Sequence, residues 1–84
     1  MKKLLLFSKE DCAPCKMVKQ LLNNEGGEDF IDINIEQNPD KVSEFGIMSV
    51  PVAVLIDENE KEISRSQGFN PPQLMQLIEQ LNSQ

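Results

Sequence analysis

Leu4-Leu5-Leu6-Phe7 runs into Ser8-Lys9-Glu10-Asp11-Cys12-Ala13-Pro14-Cys15-Lys16-Met17-Val18-Lys19 with no spacer between the two patterns. The first four residues are a continuous apolar run, as expected of a strand covered on both faces. Ser8 to Asp11 break that run, and from about Pro14 to Asn23 the period becomes helical. Cys15, Val18 and Leu22, with Leu21 beside them, share one stripe, while Lys16, Lys19 and Gln20 share the other. A strand therefore hands over to a helix, and two cysteines three positions apart sit at the junction.

Further along, Asn24-Glu25-Gly26-Gly27 ends the helix, glycine being the residue that tolerates a left-handed exit. Phe30, Ile31, Ile33 and Ile35 mark a second strand. Asn38-Pro39 is a cap followed by proline, opening a short helix through about Phe45 that Gly46 closes. Pro51 starts a third strand, Val52 to Ile56, and Asp57-Glu58-Asn59-Glu60 turns it into a fourth, Lys61 to Ser66. Asn70-Pro71 repeats the cap signal, and Leu74, Leu77, Ile78 and Leu81 form the apolar stripe of a last helix. The expected fold is α/β, one domain over residues 1–84 in the order β-α-β-α-β-β-α. The first two strands run parallel through a right-handed crossover and the last two form an antiparallel hairpin. Together they make a mixed four-stranded sheet flanked by three helices.

Composition narrows the chemistry. The chain has 84 residues, a length that bounds it to one domain, and its 26% charged and 39% apolar residues are those of a folding sequence. Fourteen acidic against eight basic residues give a net charge of −6, so no nucleic-acid partner is expected. The absence of histidine removes His-based catalysis and with it most catalytic zinc and haem sites. Lys2-Lys3 followed by four apolar residues falls short of a secretory core of roughly 7–15 or a membrane span of about 20. A cytoplasmic chain with no membrane partner is expected. In that compartment a pair of cysteines is catalytic or metal-binding more often than a structural staple.

The cysteine pair has a position suited to thiol chemistry. Unpaired N–H groups at a helix start carry partial positive charge, which favours a thiolate, the species that attacks a disulfide. Cys12 precedes the first turn and is expected to be exposed and nucleophilic. Cys15, in phase with Val18 and Leu22, is expected to face the protein and to resolve the mixed disulfide. Pro14 is tolerated where the first turn has no N–H bond to lose, and Lys9 and Lys16 add positive charge. The competing reading is a metal site. Two thiolates supply half of a tetrahedral shell, which only carboxylates or a second chain could complete here. A purely structural bridge across so short a loop would constrain the unfolded chain little.

Over essentially its whole length the chain resembles the thioredoxin superfamily. Phe7 to Lys19 resembles the active-site segment of glutaredoxin-like NrdH redoxins. Asn34-Ile35-Glu36-Gln37-Asn38-Pro39 and Phe45-Gly46-Ile47-Met48-Ser49-Val50-Pro51 are similar instead to bacterial thioredoxin, and Gly68-Phe69-Asn70-Pro71 again to the NrdH type. The resemblance implies a redox-active Cys12–Cys15 disulfide and a cis peptide before Pro51. It also implies a substrate groove formed by Ala13, Pro14, Val50, Pro51 and Gly68, with the Val50 backbone free to pair with an extended segment. It implies further a monomeric dithiol–disulfide oxidoreductase that needs no cofactor. Its partners would be protein disulfides, with thioredoxin reductase upstream and a target such as ribonucleotide reductase downstream.

The chain also departs from the family. Thioredoxins have a further strand and helix ahead of the strand that leads to the cysteines, which here comes first, as in glutaredoxins. The buried aspartate six residues before the first cysteine is replaced by Leu6, and the tryptophan before that cysteine by Asp11. Asp11 either opposes the Cys12 thiolate by like charge or caps the helix. The Gly-Gly-Asp-type segment with which glutaredoxins hold glutathione is absent from Ser66 to Pro71. Two alternatives to the leading reading remain, a glutathione-dependent glutaredoxin and a non-catalytic thiol or metal-binding module. Residues 1–24 hold five lysines and two acids, whereas residues 25–62 hold two lysines and eleven acids. The cysteine end is thus the basic end, which would suit an acidic partner surface.

Overall fold

In a computed structural model that describes residues 1–83, seven elements follow one another in the expected order. They are β1 (Lys3–Ser8), α1 (Ala13–Asn24), β2 (Ile31–Asn34), α2 (Pro39–Phe45), β3 (Val52–Ile56), β4 (Glu62–Gln67) and α3 (Pro71–Asn82). The sheet order is β2-β1-β3-β4. β1 runs parallel to β2, with Leu6 opposite Asp32, and antiparallel to β3, with Leu6 opposite Ala53 and Phe7 opposite Val52. β4 closes the hairpin antiparallel to β3.

The unbroken apolar runs belong to the two central strands because both of their faces are covered. Leu4, Leu6, Ala53 and Leu55 pack with Val18 and Leu22 of α1 and Leu74, Leu77 and Ile78 of α3. Leu5, Phe7, Val52, Val54 and Ile56 pack on the other face with Ile33, Ile47 and Phe45 at the end of α2. The edge strands are mixed instead: Ile31 of β2 is largely exposed while Ile33 is buried.

Local details depart from the sequence pattern in three places. β2 is shorter than its run of isoleucines, although Ile35 N–H still donates to Ser8 O at 2.9 Å. Asn38 holds the N-cap position, yet its amide Nδ2 donates to Asn34 O and makes no side-chain cap. β4 begins and ends one residue later than the polar turn implies. Glu60 adopts φ 61°, the Asp57 carboxylate accepts from Asn59 N–H and Lys61 N–H, and the register shifts between Leu55 and Ile56.

Arg65 ties the exposed edge to α2. It donates to both Glu62 carboxylate oxygens and, from Nη2, to Phe45 O at 2.8 Å. The Arg65 guanidinium holds the Glu62 carboxyl below its ordinary value of 4.5. A lowered folded pKa means stability that is present above the unfolded value and is lost as pH falls through the folded one. The pair is about one-third exposed on each side, so solvent screening limits its contribution to under about 1 kcal/mol. Thermal unfolding followed against pH should therefore show a small acid-side loss below about pH 4.5 in the parent that Glu62→Gln lacks.

Candidate functional site

Strand directions bring three segments to one end of the sheet. The Cys12 turn leaves the C-terminal end of β1, Val50-Pro51 enters the start of antiparallel β3, and Gly68 follows β4. Phe7 pairs with Val52, and Val52 with Gln67, so all three segments lie just beyond one row of the sheet.

Cys12 is itself the N-cap of α1, with φ −116° and ψ 104°. Its Sγ accepts from Cys15 N–H at 3.3 Å and its carbonyl accepts from Lys16 N–H at 3.2 Å. The first amides of a helix have no partner within the helix, so this sulfur receives one of them together with the positive end of the helix dipole. Cys12 and Cys15 are joined as a disulfide, their Cα atoms 5.2 Å apart, inside the usual span for such a bond. Pro14 sits in the first turn, where no ladder bond is lost, and both Ala13 and Pro14 are exposed.

Two expectations are corrected. Cys12 is only 6% exposed, against 1% for Cys15, so the first cysteine is not an open surface thiol. The reason is its capping role: Sγ folds back over the first turn to reach both the amide and the sulfur of Cys15. Asp11 does not cap the helix, because Cys12 does. Asp11 instead occupies the left-handed region at φ 55°, which aspartate tolerates better than most residues, and turns the chain into α1.

The peptide bond between Val50 and Pro51 is cis, with Pro51 buried and Val50 packed against the α2 face of the sheet. β4 anchors this loop twice: Gly68 N–H donates to Pro51 O at 2.8 Å, and Gln67 Nε2 to Ser49 Oγ at 2.7 Å. Gly68 has φ 71°, and a Cβ built there meets no atom within 4 Å. The need for glycine is thus one of backbone conformation. Gly68→Ala should cost about 1–2 kcal/mol, the left-handed penalty alone. A melting point within the error of the parent would mean that the loop adopts another φ.

Lys9, Asp11 and Lys16 line an open cavity of about 450 Å³ whose wall includes Cys15 but not Cys12. Ser8, Lys19 and Asp32 line it too, and they form a polar cluster that the sequence reading passed over. Its one signal is parity: Ser8 continues the Leu4, Leu6 side of β1 and so points a hydroxyl under α1. Outside the cysteines, Met48 is 97% exposed in the loop before Pro51, and Phe69 is partly exposed after Gly68. Among the described residues, no group of three or more histidine, cysteine, aspartate or glutamate side chains could hold a metal ion. Among them, no helix is long and apolar enough to cross a membrane.

Comparison with known proteins gives a consistent picture. The glutaredoxin family model matches residues 4–60. The SPbeta prophage-derived thioredoxin-like protein YosR of Bacillus subtilis is 34% identical, covering 94% of this chain and 98% of its own. Thioredoxin of Staphylococcus haemolyticus is 28% identical, over 82% of this chain and 70% of its own. Among solved structures, thioredoxin from Nicotiana alata superposes with a TM-score of 0.83 at 26% identity, over 98% of this chain and 74% of that one.

Proposed function

The chain belongs to the glutaredoxin family within the thioredoxin superfamily, and from that membership we propose that Cys12-Ala13-Pro14-Cys15 reduces protein disulfides in two steps. The general activity is that of a dithiol–disulfide oxidoreductase. In the first step the Cys12 thiolate attacks one sulfur of a target disulfide, forming a mixed disulfide and releasing the other target sulfur as thiolate. In the second, Cys15 attacks Cys12 Sγ, closes the Cys12–Cys15 bond and releases the second target thiolate. The chain loses two electrons and the target gains two. The reading rests above all on the Cys15 N–H that donates to Cys12 Sγ, because the same donor stabilises negative charge on that sulfur once the bond is reduced. Lys9, Lys16 and Asp11 would set the field around the pair. Ala13, Pro14, Val50, Pro51 and Gly68 would line the groove, in which the Val50 backbone pairs with an extended segment of the target.

In this reading residues 1–84 work as a single monomeric, cytoplasmic domain with no bound cofactor. Electrons arrive from thioredoxin reductase and leave to an enzyme such as ribonucleotide reductase. The family match favours a second reading, in which glutathione is the reductant. Against it, the segment from Ser66 to Pro71 lacks the Gly-Gly-Asp-type turn that would hold the tripeptide. One experiment separates them. The oxidised protein is given an insulin-type disulfide as acceptor, and NADPH consumption is followed with thioredoxin reductase or with glutathione and its reductase. Thioredoxin reductase should sustain turnover at least about tenfold faster, a barrier difference of about 1.4 kcal/mol. Faster turnover with glutathione would replace this reading with the second.

A further inference from the structure

The second step requires Cys15 to give up a proton, and the chain has no histidine to take it. Leu6, beneath α1, is apolar and fully buried. One strand across on the same sheet face lies a carboxylate. Asp32 is the register partner of Leu6 on β2, and its orientation is fixed by two contacts. Ser8, itself only 3% exposed, donates Oγ–H to Asp32 Oδ1 at 2.7 Å, and Lys19 Nζ of α1 lies 2.8 Å from Oδ2. Asp32 and Cys15 line the same cavity of about 450 Å³, polar and roomy enough for ordered water.

We propose that Asp32, positioned by Ser8 and Lys19, accepts the Cys15 proton through water in this cavity during resolution and returns it when the disulfide is next reduced. The inference deepens the function proposed above and rests on Cys15 being the resolving thiol. The step balances: the Cys15 S–H proton passes to the Asp32 carboxylate, and Cys15 Sγ displaces the target sulfur from Cys12. The departing thiolate then takes its proton from solvent. The other charges facing the cavity are Lys16 of α1 and Lys9, Glu10 and Asp11 of the turn. Of the cations, Lys19 alone forms a described ion pair with the Asp32 carboxylate. It holds the carboxylate in place at the cavity that Cys15 also lines.

The reduced protein is mixed with excess 5,5′-dithiobis(2-nitrobenzoate), and two releases of coloured thiolate are followed by stopped flow. The first reports attack by Cys12. The second, independent of reagent concentration, reports resolution by Cys15. Asp32→Asn keeps an acceptor for Ser8 but cannot take the proton. It should slow the second release about a hundredfold near about pH 6.5, at the lower end of general-base effects. Above about pH 9, where thiols of ordinary pKa near 8.5 are already ionised, it should match the parent. Asp32→Glu should recover part of the loss. A second release unchanged at every pH, or slowed equally at every pH, would overturn the proposal, the latter meaning that Asp32 only supports packing. The premise is read separately from Cys15→Ser, which must give the first release and no second. Failure there condemns the assignment of the cysteines rather than the role of Asp32.

Discussion

A Cys15→Ser chain mixed with an oxidised protein target should accumulate a covalent adduct through Cys12, whereas Cys12→Ser should trap none and lose turnover altogether. The expectation follows from the cap. Only Cys12 Sγ receives a helix amide, from Cys15 at 3.3 Å, so only that sulfur has its thiolate stabilised before a target arrives. Cys15 is 1% exposed and meets its electrophile once Cys12 has brought one to it. Turnover in either variant should fall at least about a thousandfold, which is about 4 kcal/mol in barrier. Only Cys15→Ser should leave a species that a strong reductant dissolves. Mass spectrometry of acid-quenched mixtures distinguishes the two. Equal trapping by both variants would show that the cap does not set the order of attack, and the low exposure of Cys12 makes this a demanding test.

The second large effect is expected at Leu6. Leu6→Asp places a carboxylate at a position with no solvent exposure, between α1 and the sheet and opposite Asp32. Lost packing costs about 2–5 kcal/mol, and an unpaired polar group at this depth adds about 1–3. The melting point should drop by at least about 12 °C at neutral pH, using the usual 4–8 °C per kcal/mol for a chain of this length. The pH dependence has a definite sign. Burial and the neighbouring Asp32 raise the folded pKa of the new group, so its penalty is absent below the unfolded value of about 3.9 and grows above it. The variant should therefore be closest to the parent in acid. A neutral-pH melting point within a few degrees of the parent would place Leu6 outside the packed layer.

The architecture was legible because β1 and β3 are covered on both faces, which leaves an unambiguous apolar run in each, and because Asn38-Pro39 and Asn70-Pro71 open helices where they stand. The ends were less legible. Ile35 carries the apolar signal of a strand but contributes only a last main-chain bond, and Asn38 spends its side chain on Asn34 rather than on the helix. At the site, spacing and helical phase found both cysteines. They missed the low exposure of Cys12, because a cap folds its side chain back in a way that periodicity does not encode. Asp32 was missed for a different reason. Between Ile31 and Ile33 it has the look of the solvent side of an edge strand, and its side chain is indeed 45% exposed; only register with Leu6 shows that it stands on the α1 side of the sheet beside Ser8 and Lys19.

The anchoring of the Val50-Pro51 loop has a consequence for the working cycle. Its ties run to β4, through Gly68 and Gln67, and β4 is tied in turn to the end of α2 through Arg65. None of these bonds is made by the cysteine turn. The Val50-Pro51 loop thus hangs from β3 and β4 and the cysteine turn from β1, and the two meet at the Phe7–Val52 register pair. In the function proposed above, the part that would grip a target and the part that would exchange electrons with it are separately mounted, and any signal between them would pass through that one pairing.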